Sequence, residues 1–171
     1  MFLFTIMGVA IFNSCSGSAE ETTKLQARGG YYDDIVGTAD QEVYTITMDL
    51  REIRAEWEEN LLAQGYDVDL TRFSIAKKVN TINPREPGDF AYLLIASNAS
   101  SEISTGVFLH RNGGMFTIEP VADPTFLITI TCTGCSYGCN LDWFWEKGKK
   151  VRYCKTNGCG SNCTKTESGT F

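Results

Sequence analysis

The order of apolar and polar residues predicts a strand and then a helix in the first third of the chain. Val43 to Met48 alternates apolar and polar positions, which is typical of a half-buried strand. The spacing then changes to three and four, which places four apolar residues on one helical stripe: Leu50, Ile53, Trp57 and Leu61. Asp49, with Glu52 three residues later, resembles a capping box, and Gly65 supplies a stop signal. We therefore expect one amphipathic helix.

The polar side of that helix carries charged residues that we interpret as solvated. Arg54 and Glu58 lie four residues apart, which predicts an exposed ion pair. Glu56, Glu58 and Glu59 form a carboxylate cluster on the same side. General acid–base chemistry would need a desolvated site that shifts the pKa of one carboxyl group, and the pattern gives no sign of such a site.

The middle of the chain predicts strands joined by turns. Arg72 to Val79 is a strand candidate, and the unbroken apolar run from Phe90 to Ala96 predicts a central strand buried on both faces. Asn112-Gly113 is the strongest hairpin signal in the chain. Further strands are predicted over residues 107–110, 115–118 and 125–131. Successive strands with short turns predict an antiparallel meander.

These elements together predict an α+β fold. An antiparallel β-sheet meander packs on one amphipathic helix, and a small disulfide-rich hairpin forms a tip at the C-terminus. We divide the chain into a signal peptide over residues 1–14, a flexible tether over 15–40, an α+β body over 41–131 and a cysteine-rich tip over 132–171.

The cysteines are concentrated near the C-terminus, where six of the seven fall within residues 132–163. They are Cys132, Cys135, Cys139, Cys154, Cys159 and Cys163. An even, clustered set predicts three disulfides in an exported protein. The alternative is a zinc-binding or thiol-redox module that uses the same cysteines. Their spacing resembles a zinc ribbon, but the second knuckle is two residues too long. The first C-x-x-C also lacks the following helix that would lower the pKa of a redox thiol.

The segment between the cysteines predicts a hairpin that turns at Lys147-Gly148. With Glu146 opposite Lys149, one face carries five residues: Trp143, Trp145, Lys150, Arg152 and Cys154. The other face carries Phe144, Val151 and Tyr153. Cys139 falls on the Trp face, diagonal to Cys154, so this register makes a disulfide between the two geometrically feasible.

The aromatic residues of the hairpin have two interpretations. They form the small core of the tip, or they offer a platform on which a sugar or a partner protein stacks. We favour the core interpretation for Phe144, Val151 and Tyr153. The candidate ligand face then consists of Trp143, Trp145, Lys150 and Arg152.

The N-terminus has the pattern of an export signal. Residues 1–12 form an apolar run about as long as a signal-peptide core and too short to span a bilayer as a helix. The run ends in Asn13, Ser14 and Cys15, a switch that resembles the lipobox of bacterial lipoproteins. The resemblance implies that Cys15 is lipidated and becomes the first mature residue. Ordinary cleavage near Ser18 is the competing interpretation, and a buried structural Cys15 is a third that we disfavour. The first two leave an even set of cysteines.

The net charge and its distribution along the chain indicate which classes of partner the protein can bind. The net charge of −6 argues against a nucleic-acid backbone as ligand. Residues 1–131 carry nine Lys or Arg and 18 Asp or Glu, whereas residues 132–171 carry six and three. The basic tip is interpreted as a solvated surface, with contact to an anionic glycan or envelope surface as the alternative.

No catalytic pattern accompanies these features. His110 is the only histidine, and no nucleophile or metal-site motif surrounds it, so we assign no catalytic residue, metal or cofactor. We expect an exported lipoprotein of the bacterial cell envelope with a non-enzymatic binding role. Its partners would be the membrane, through the lipid anchor, and a glycan or protein at the tip.

Overall fold

The computed structural model describes residues 34–86, 88–119, 127–160 and 163–170, which form a mainly antiparallel β fold with one helix. The predicted signal peptide, Cys15 and most of the predicted tether lie outside the described residues. In chain order the elements are β1 (Gly37–Asp40), β2 (Val43–Ile46), α1 (Arg51–Ala63), β3 (Arg72–Val79), β4 (Phe90–Ser97), β5 (Ser104–Asn112), β6 (Met115–Ile118), β7 (Leu127–Thr133), β8 (Cys139–Glu146), β9 (Lys149–Thr156) and β10 (Thr164–Thr170). The predicted α+β class is confirmed.

β5 is the central strand of an eight-stranded sheet. One of its edges pairs with β4, and β3 pairs with the far edge of β4. Its other edge is shared, because residues 104–106 pair with β7 and residues 109–112 pair with β6. β10 extends the sheet beyond β7, while β1 and then β2 extend it beyond β6. β8 and β9 form a separate hairpin.

The predicted run of antiparallel strands holds through β4, β5 and β6, and β7 departs from it. Instead of pairing with β6, β7 returns to the first part of β5. The reason lies in strand length, because β6 has four residues and β5 has nine. β6 therefore leaves part of the β5 edge unpaired, and β7 satisfies the backbone N–H and C=O groups there.

β4 separates two apolar cores. Tyr92, Leu94 and Ala96 face a core shared with α1, whereas Ala91 and Leu93 face a second core beneath the β8–β9 hairpin. A strand that is buried on both faces needs apolar residues at every position. The unbroken apolar run of β4 thus predicted correctly that this interior strand is buried on both faces.

α1 covers the first core with the predicted stripe. Ile53, Trp57 and Leu61 are buried, and the ring of Trp57 stacks on Phe73 with 6.1 Å between ring centroids. The helix stops where Gly65 adopts a φ of +90°, a conformation that glycine takes without steric cost. Both the stripe and the stop signal are confirmed.

The start of the helix differs from the predicted capping box. Leu50 is the N-cap residue, and its side chain makes no capping hydrogen bond. The carboxylate of Asp49 accepts a hydrogen bond from the backbone N–H of Arg51 instead, over 3.0 Å, and also pairs with the Arg51 side chain. The acidic residue thus acts one position earlier than the motif requires.

The predicted ion pair between Arg54 and Glu58 is wrong. Glu58 Oε1 accepts the backbone N–H of Leu70 over 2.8 Å, and Leu70 is fully buried. The guanidinium carbon of Arg54 lies 5.4 Å from the ring centroid of Phe73. Each side chain therefore has a tertiary partner that helix spacing alone does not reveal.

The folded region begins before residue 41, the predicted end of the tether. β1 pairs with both β2 and β6, and the preceding Val36 is fully buried, with its N–H donating to Phe116 O over 2.8 Å. β1 reads G-T-A-D, which is too short and too polar for apolar alternation to reveal it.

The cysteine-rich region contains the predicted disulfide-bonded hairpin, β8–β9, and also β10, which is a strand of the large sheet. β10 pairs along the whole of β7, and the β8–β9 hairpin covers the second core. The predicted boundary between residues 131 and 132 thus falls inside β7. Within the described parts of the chain, no helix is long and apolar enough to cross a membrane.

Candidate functional site

Three disulfides hold the β8–β9 hairpin against the sheet. They join Cys132 to Cys154, Cys135 to Cys159 and Cys139 to Cys163, with Cα–Cα distances of 5.5, 5.9 and 5.9 Å. The first links β7 to β9, the second links the loops on either side of the hairpin, and the third links the start of β8 to the residue before β10. All six cysteines predicted to form disulfides do so.

The pairing that seemed feasible from hairpin register, Cys139 with Cys154, is wrong. Leu141, and not Cys139, stands opposite Cys154 across the hairpin. The Cys154 sulfur lies over β7, within 3.8 Å of the Thr131 carbonyl oxygen, where Cys132 is its neighbour. Register within the hairpin could not reveal this, because none of the three disulfides joins β8 to β9.

Close backbone packing brings β8 onto the sheet. At Gly106 of β5, an added Cβ would lie 2.5 Å from the Leu94 carbonyl oxygen and 2.9 Å from Leu141 Cδ2. The hydroxyl of Ser104 donates to the carbonyl oxygen of Cys139 at the start of β8. A strand glycine that marks a close approach is a recognised pattern. Here it leaves room for Leu141, which is buried in the second core.

Trp143 is fully buried, so it offers no ring face to a ligand. Its ring meets Phe108 edge to face at 6.4 Å, and its Nε1 donates to the Lys78 carbonyl oxygen over 2.8 Å. The prediction of a ligand face is wrong for this residue. The reason is that the hairpin lies flat on the sheet with its Trp face inward.

Trp145 is held by the loop between β3 and β4. The guanidinium carbon of Arg85 lies 3.7 Å from its ring centroid, and its Nε1 donates to the carboxylate of Asp89. The side-chain amide of Asn83 bonds to the backbone of Trp145 twice: its oxygen accepts the Trp145 N–H, and its nitrogen donates to the Trp145 carbonyl oxygen. The stacked cation therefore covers a face of the ring that a ligand would need.

Lys150 and Arg152 also point toward the sheet. Lys150 Nζ lies 2.7 Å from Glu119 Oε2, and Arg152 Nη1 donates to the Ile128 carbonyl oxygen over 2.7 Å. Both cations lie over the ring of Phe108, at 5.3 and 5.1 Å from its centroid. Burial lowers the pKa of Arg152 from its ordinary value. These cations join the hairpin to the sheet, so the face predicted for a ligand is the packing face.

The outward face of the hairpin carries the residues we had interpreted as its core. Phe144, Val151 and Tyr153 are half-buried, and the rings of Phe144 and Tyr153 meet edge to face at 5.6 Å. Burial is the main cause that raises the pKa of Tyr153, with Asp142 adding to it. The polar residues Asn140 and Asp142, on the same side of β8 as Phe144, were the signal for this orientation that sequence reasoning missed. We call Phe144, Val151 and Tyr153 the outward face.

The disulfides limit the chemistry that the cysteines can perform. A metal site or a redox thiol needs a thiolate, and all six sulfurs are bonded in pairs. Among the residues that the structure describes, no group of three His, Cys, Asp or Glu side chains could hold a metal ion. His110 is exposed on β5 opposite Thr117. In this structure the six paired sulfurs are therefore not available as thiolate ligands to a metal.

Comparison with known proteins adds no family assignment. The chain matches no protein-family model, and neither a curated protein nor a solved structure matches it.

Proposed function

We propose that this protein is an exported lipoprotein, anchored through Cys15, that binds a partner through the outward face without catalysing a reaction. One observation supports the proposal most strongly: the six C-terminal cysteines pair with one another. Cys15 is the seventh cysteine, and no other cysteine is left to pair with it. A lipidated cysteine needs no such partner.

The disulfides indicate the kind of cellular compartment in which the protein is found. Disulfides persist in oxidising compartments and are rare in the cytosol, where thiols are kept reduced. Three disulfides are consistent with an exported, non-cytoplasmic protein. Membrane anchoring is the further step of the proposal and rests on the sequence around Cys15.

The binding role is inferred from the half-buried aromatic pair on the outward face, Phe144 and Tyr153. A two-stranded hairpin is marginally stable alone, but here three disulfides and a buried Trp143 fix it on the sheet. Phe144 and Tyr153 are thereby held half-exposed on a rigid surface. Rigid aromatic side chains lose little conformational entropy on binding, which suits them to contact a glycan or a protein.

The anchoring experiment compares the wild-type protein with Cys15→Ser, using Ser16→Ala as the control. If Cys15 carries the lipid, Cys15→Ser moves the protein to the soluble fraction, while the control stays with the membrane and shows a diacylglyceryl mass on its N-terminal peptide. Unchanged membrane fractionation of Cys15→Ser would contradict the lipoprotein assignment.

The binding experiment measures retention of the soluble Cys15→Ser protein on isolated cell-envelope fragments of the producing cell. Phe144→Ser with Tyr153→Ser should reduce retention, because both substitutions remove half-exposed rings from the outward face. Tyr137→Ser is the control, because Tyr137 is 71% exposed and lies outside that face. Equal retention of the double variant and the control would rule out this face as the binding surface.

A further inference from the structure

The concave side of the sheet, whose core α1 covers near the start of β3, holds a group of aromatic residues near the far end of that strand. β1 and β2 bring the sheet round until β2 lies beside β3. α1 packs near the start of β3, against Phe73. Toward the far end of β3, three rings meet edge to face: Tyr92 and Phe116 at 4.9 Å, and Tyr44 at 5.5 and 5.7 Å from them. The two ends of this concave side therefore differ in chemistry.

Phe90 makes this end accessible to a ligand. Its ring lies 5.3 Å from that of Tyr92, and the residue is 42% exposed. Val79, its cross-strand partner in β3, is 48% exposed. Lys77 Nζ lies over one face of this ring, and the exposed remainder beside Val79 gives a flat surface on which the C–H face of a ring can stack.

An ion pair lies beside these rings. Lys77 Nζ lies 3.1 Å from Glu42 Oε1 and 4.6 Å from the centroid of Phe90. The hydroxyl of Tyr44 donates to Glu42 Oε2. This hydrogen bond, followed by that from Lys77, lowers the pKa of Glu42, and the same bond to Glu42 raises the pKa of Tyr44. Glu42 is therefore a carboxylate that can accept further hydrogen bonds from ligand hydroxyl groups.

Arg111 supplies a cation that is not part of this ion pair. Its Nη1 donates to Tyr92 Oη over 2.8 Å and its Nε donates to the Gly113 carbonyl oxygen over 2.9 Å. Among the described residues, none of its nitrogens lies within 4.0 Å of a carboxylate oxygen. A guanidinium with donors to spare matches the planar geometry of a carboxylate.

We propose that this end of the concave sheet binds a saccharide that carries a carboxylate, that is, a uronic-acid unit. The carboxylate pairs with Arg111, the C–H face of the sugar ring stacks on Phe90, and the hydroxyls meet Glu42 and Lys77. A neutral sugar would offer Arg111 no carboxylate to bind, whereas an aromatic acid would offer Glu42 no hydroxyl donor. The site does not include the outward face of the hairpin, so it is independent of the binding role proposed above.

Isothermal titration of the full exported chain tests the site with two probes, a galacturonic acid trimer and the neutral galactose trimer. The acidic trimer should bind saturably and the neutral trimer at least about tenfold more weakly, because only the acidic trimer offers Arg111 a charged hydrogen-bond acceptor. Inorganic sulfate should not compete with the acidic trimer when the total ionic strength is held constant with a second salt. Absence of saturable binding, or equal binding of the two trimers, would overturn the proposal.

Two variants locate the binding. Arg111→Gln should raise the Kd for the acidic trimer about tenfold or more, since it removes the cation. Phe90→Leu keeps an apolar side chain at an exposed position and removes the flat ring, so the fold remains and the Kd should rise about threefold to tenfold. Lys155→Gln, an exposed cation on the hairpin, is the matched control. If Phe90→Leu binds the acidic trimer as tightly as the control does, the site is wrongly placed, whatever the effect of Arg111→Gln on folding.

Discussion

Individual polar side chains join α1 to distant parts of the chain. Glu58 accepts the N–H of Leu70, 12 residues away, while Gln64 Nε2 donates to Ser168 Oγ, 104 residues away. The hydroxyls of Tyr66 and Thr133, 67 residues apart, lie within 3.1 Å of each other. Helical spacing in the sequence predicted which residues face the core. It could not predict these partners, because helix periodicity contains no information about long-range contacts.

Replacement of Glu58 by alanine should destabilise the protein more than an exposed ion pair would. Glu58→Ala leaves the N–H of the fully buried Leu70 without its acceptor, which costs about 1–3 kcal/mol. The ion pair predicted from the sequence would be worth only about 0.3–0.5 kcal/mol. The free energy of unfolding from urea titration distinguishes the two. Glu58→Gln, which retains an acceptor, and the exposed Glu59→Ala are controls that should lose little, and a Glu58→Ala value equal to that of Glu59→Ala would contradict this role.

Replacement of Trp57 should have the larger effect. Trp57 is buried and stacked on Phe73, so Trp57→Ala should lower the free energy of unfolding by about 3–5 kcal/mol. Trp57→Phe should cost less, because it keeps a ring and removes an indole N–H that has no hydrogen-bond partner among the described residues. Urea denaturation followed by circular dichroism measures both. Losses below about 1 kcal/mol for Trp57→Ala would mean that the site is not the rigid core seen here.

At the scale of elements, the sequence predicted which residues pair across the β8–β9 hairpin, but it did not predict which face of the hairpin packs on the sheet. The turn at Lys147-Gly148 set the hairpin register, and Glu146 does pair with Lys149. Both faces of the hairpin carry aromatic residues, so hydrophobicity alone did not decide which face packs on the sheet. β10 reads T-K-T-E-S-G-T, with no apolar alternation to reveal it. Its position comes from backbone pairing with β7, a long-range contact that a local pattern does not encode.

Gly106 tests how closely β5 approaches its neighbours. Gly106→Ala places a Cβ against the Leu94 carbonyl oxygen and Leu141 Cδ2, so a strand or the hairpin must shift. We expect a loss of about 1–3 kcal/mol in the free energy of unfolding, as for other overpacked sites. Gly114→Ala is the matched control, since an added Cβ there meets its nearest atom at an ordinary 3.4 Å. Similar stabilities for the two variants would show that β4 and Leu141 shift to accommodate the added Cβ at a lower cost than this geometry implies.

The molecule as a whole consists of α1, the sheet and the β8–β9 hairpin, packed in that order around two cores. The sequence separated a body from a cysteine-rich tip because composition changes sharply near residue 132. The structure joins them, because β7 carries Cys132 and β10 pairs with β7. The core beneath the hairpin combines sheet residues such as Phe108 with hairpin residues such as Leu141. Loss of the disulfides should therefore affect the sheet as well as the hairpin.

Reduction and chelation give opposite expectations for the two interpretations of the cysteines. Each disulfide spans 22 or 24 residues and contributes about 3 kcal/mol in the chain-entropy model. Reductant should first expose the amides of β8, β9 and β10 to hydrogen exchange, while α1 keeps its protection because the first core contains no cysteine. A chelator should change neither the hydrogen exchange nor the near-ultraviolet circular dichroism, and the intact mature mass should show a deficit of six hydrogens relative to the thiol form.

A bound metal would reverse these responses, because chelation would then loosen the hairpin. Stoichiometric zinc together with six titratable thiols in protein isolated from the exported fraction would contradict the disulfide assignment and, with it, the case for a rigid binding surface.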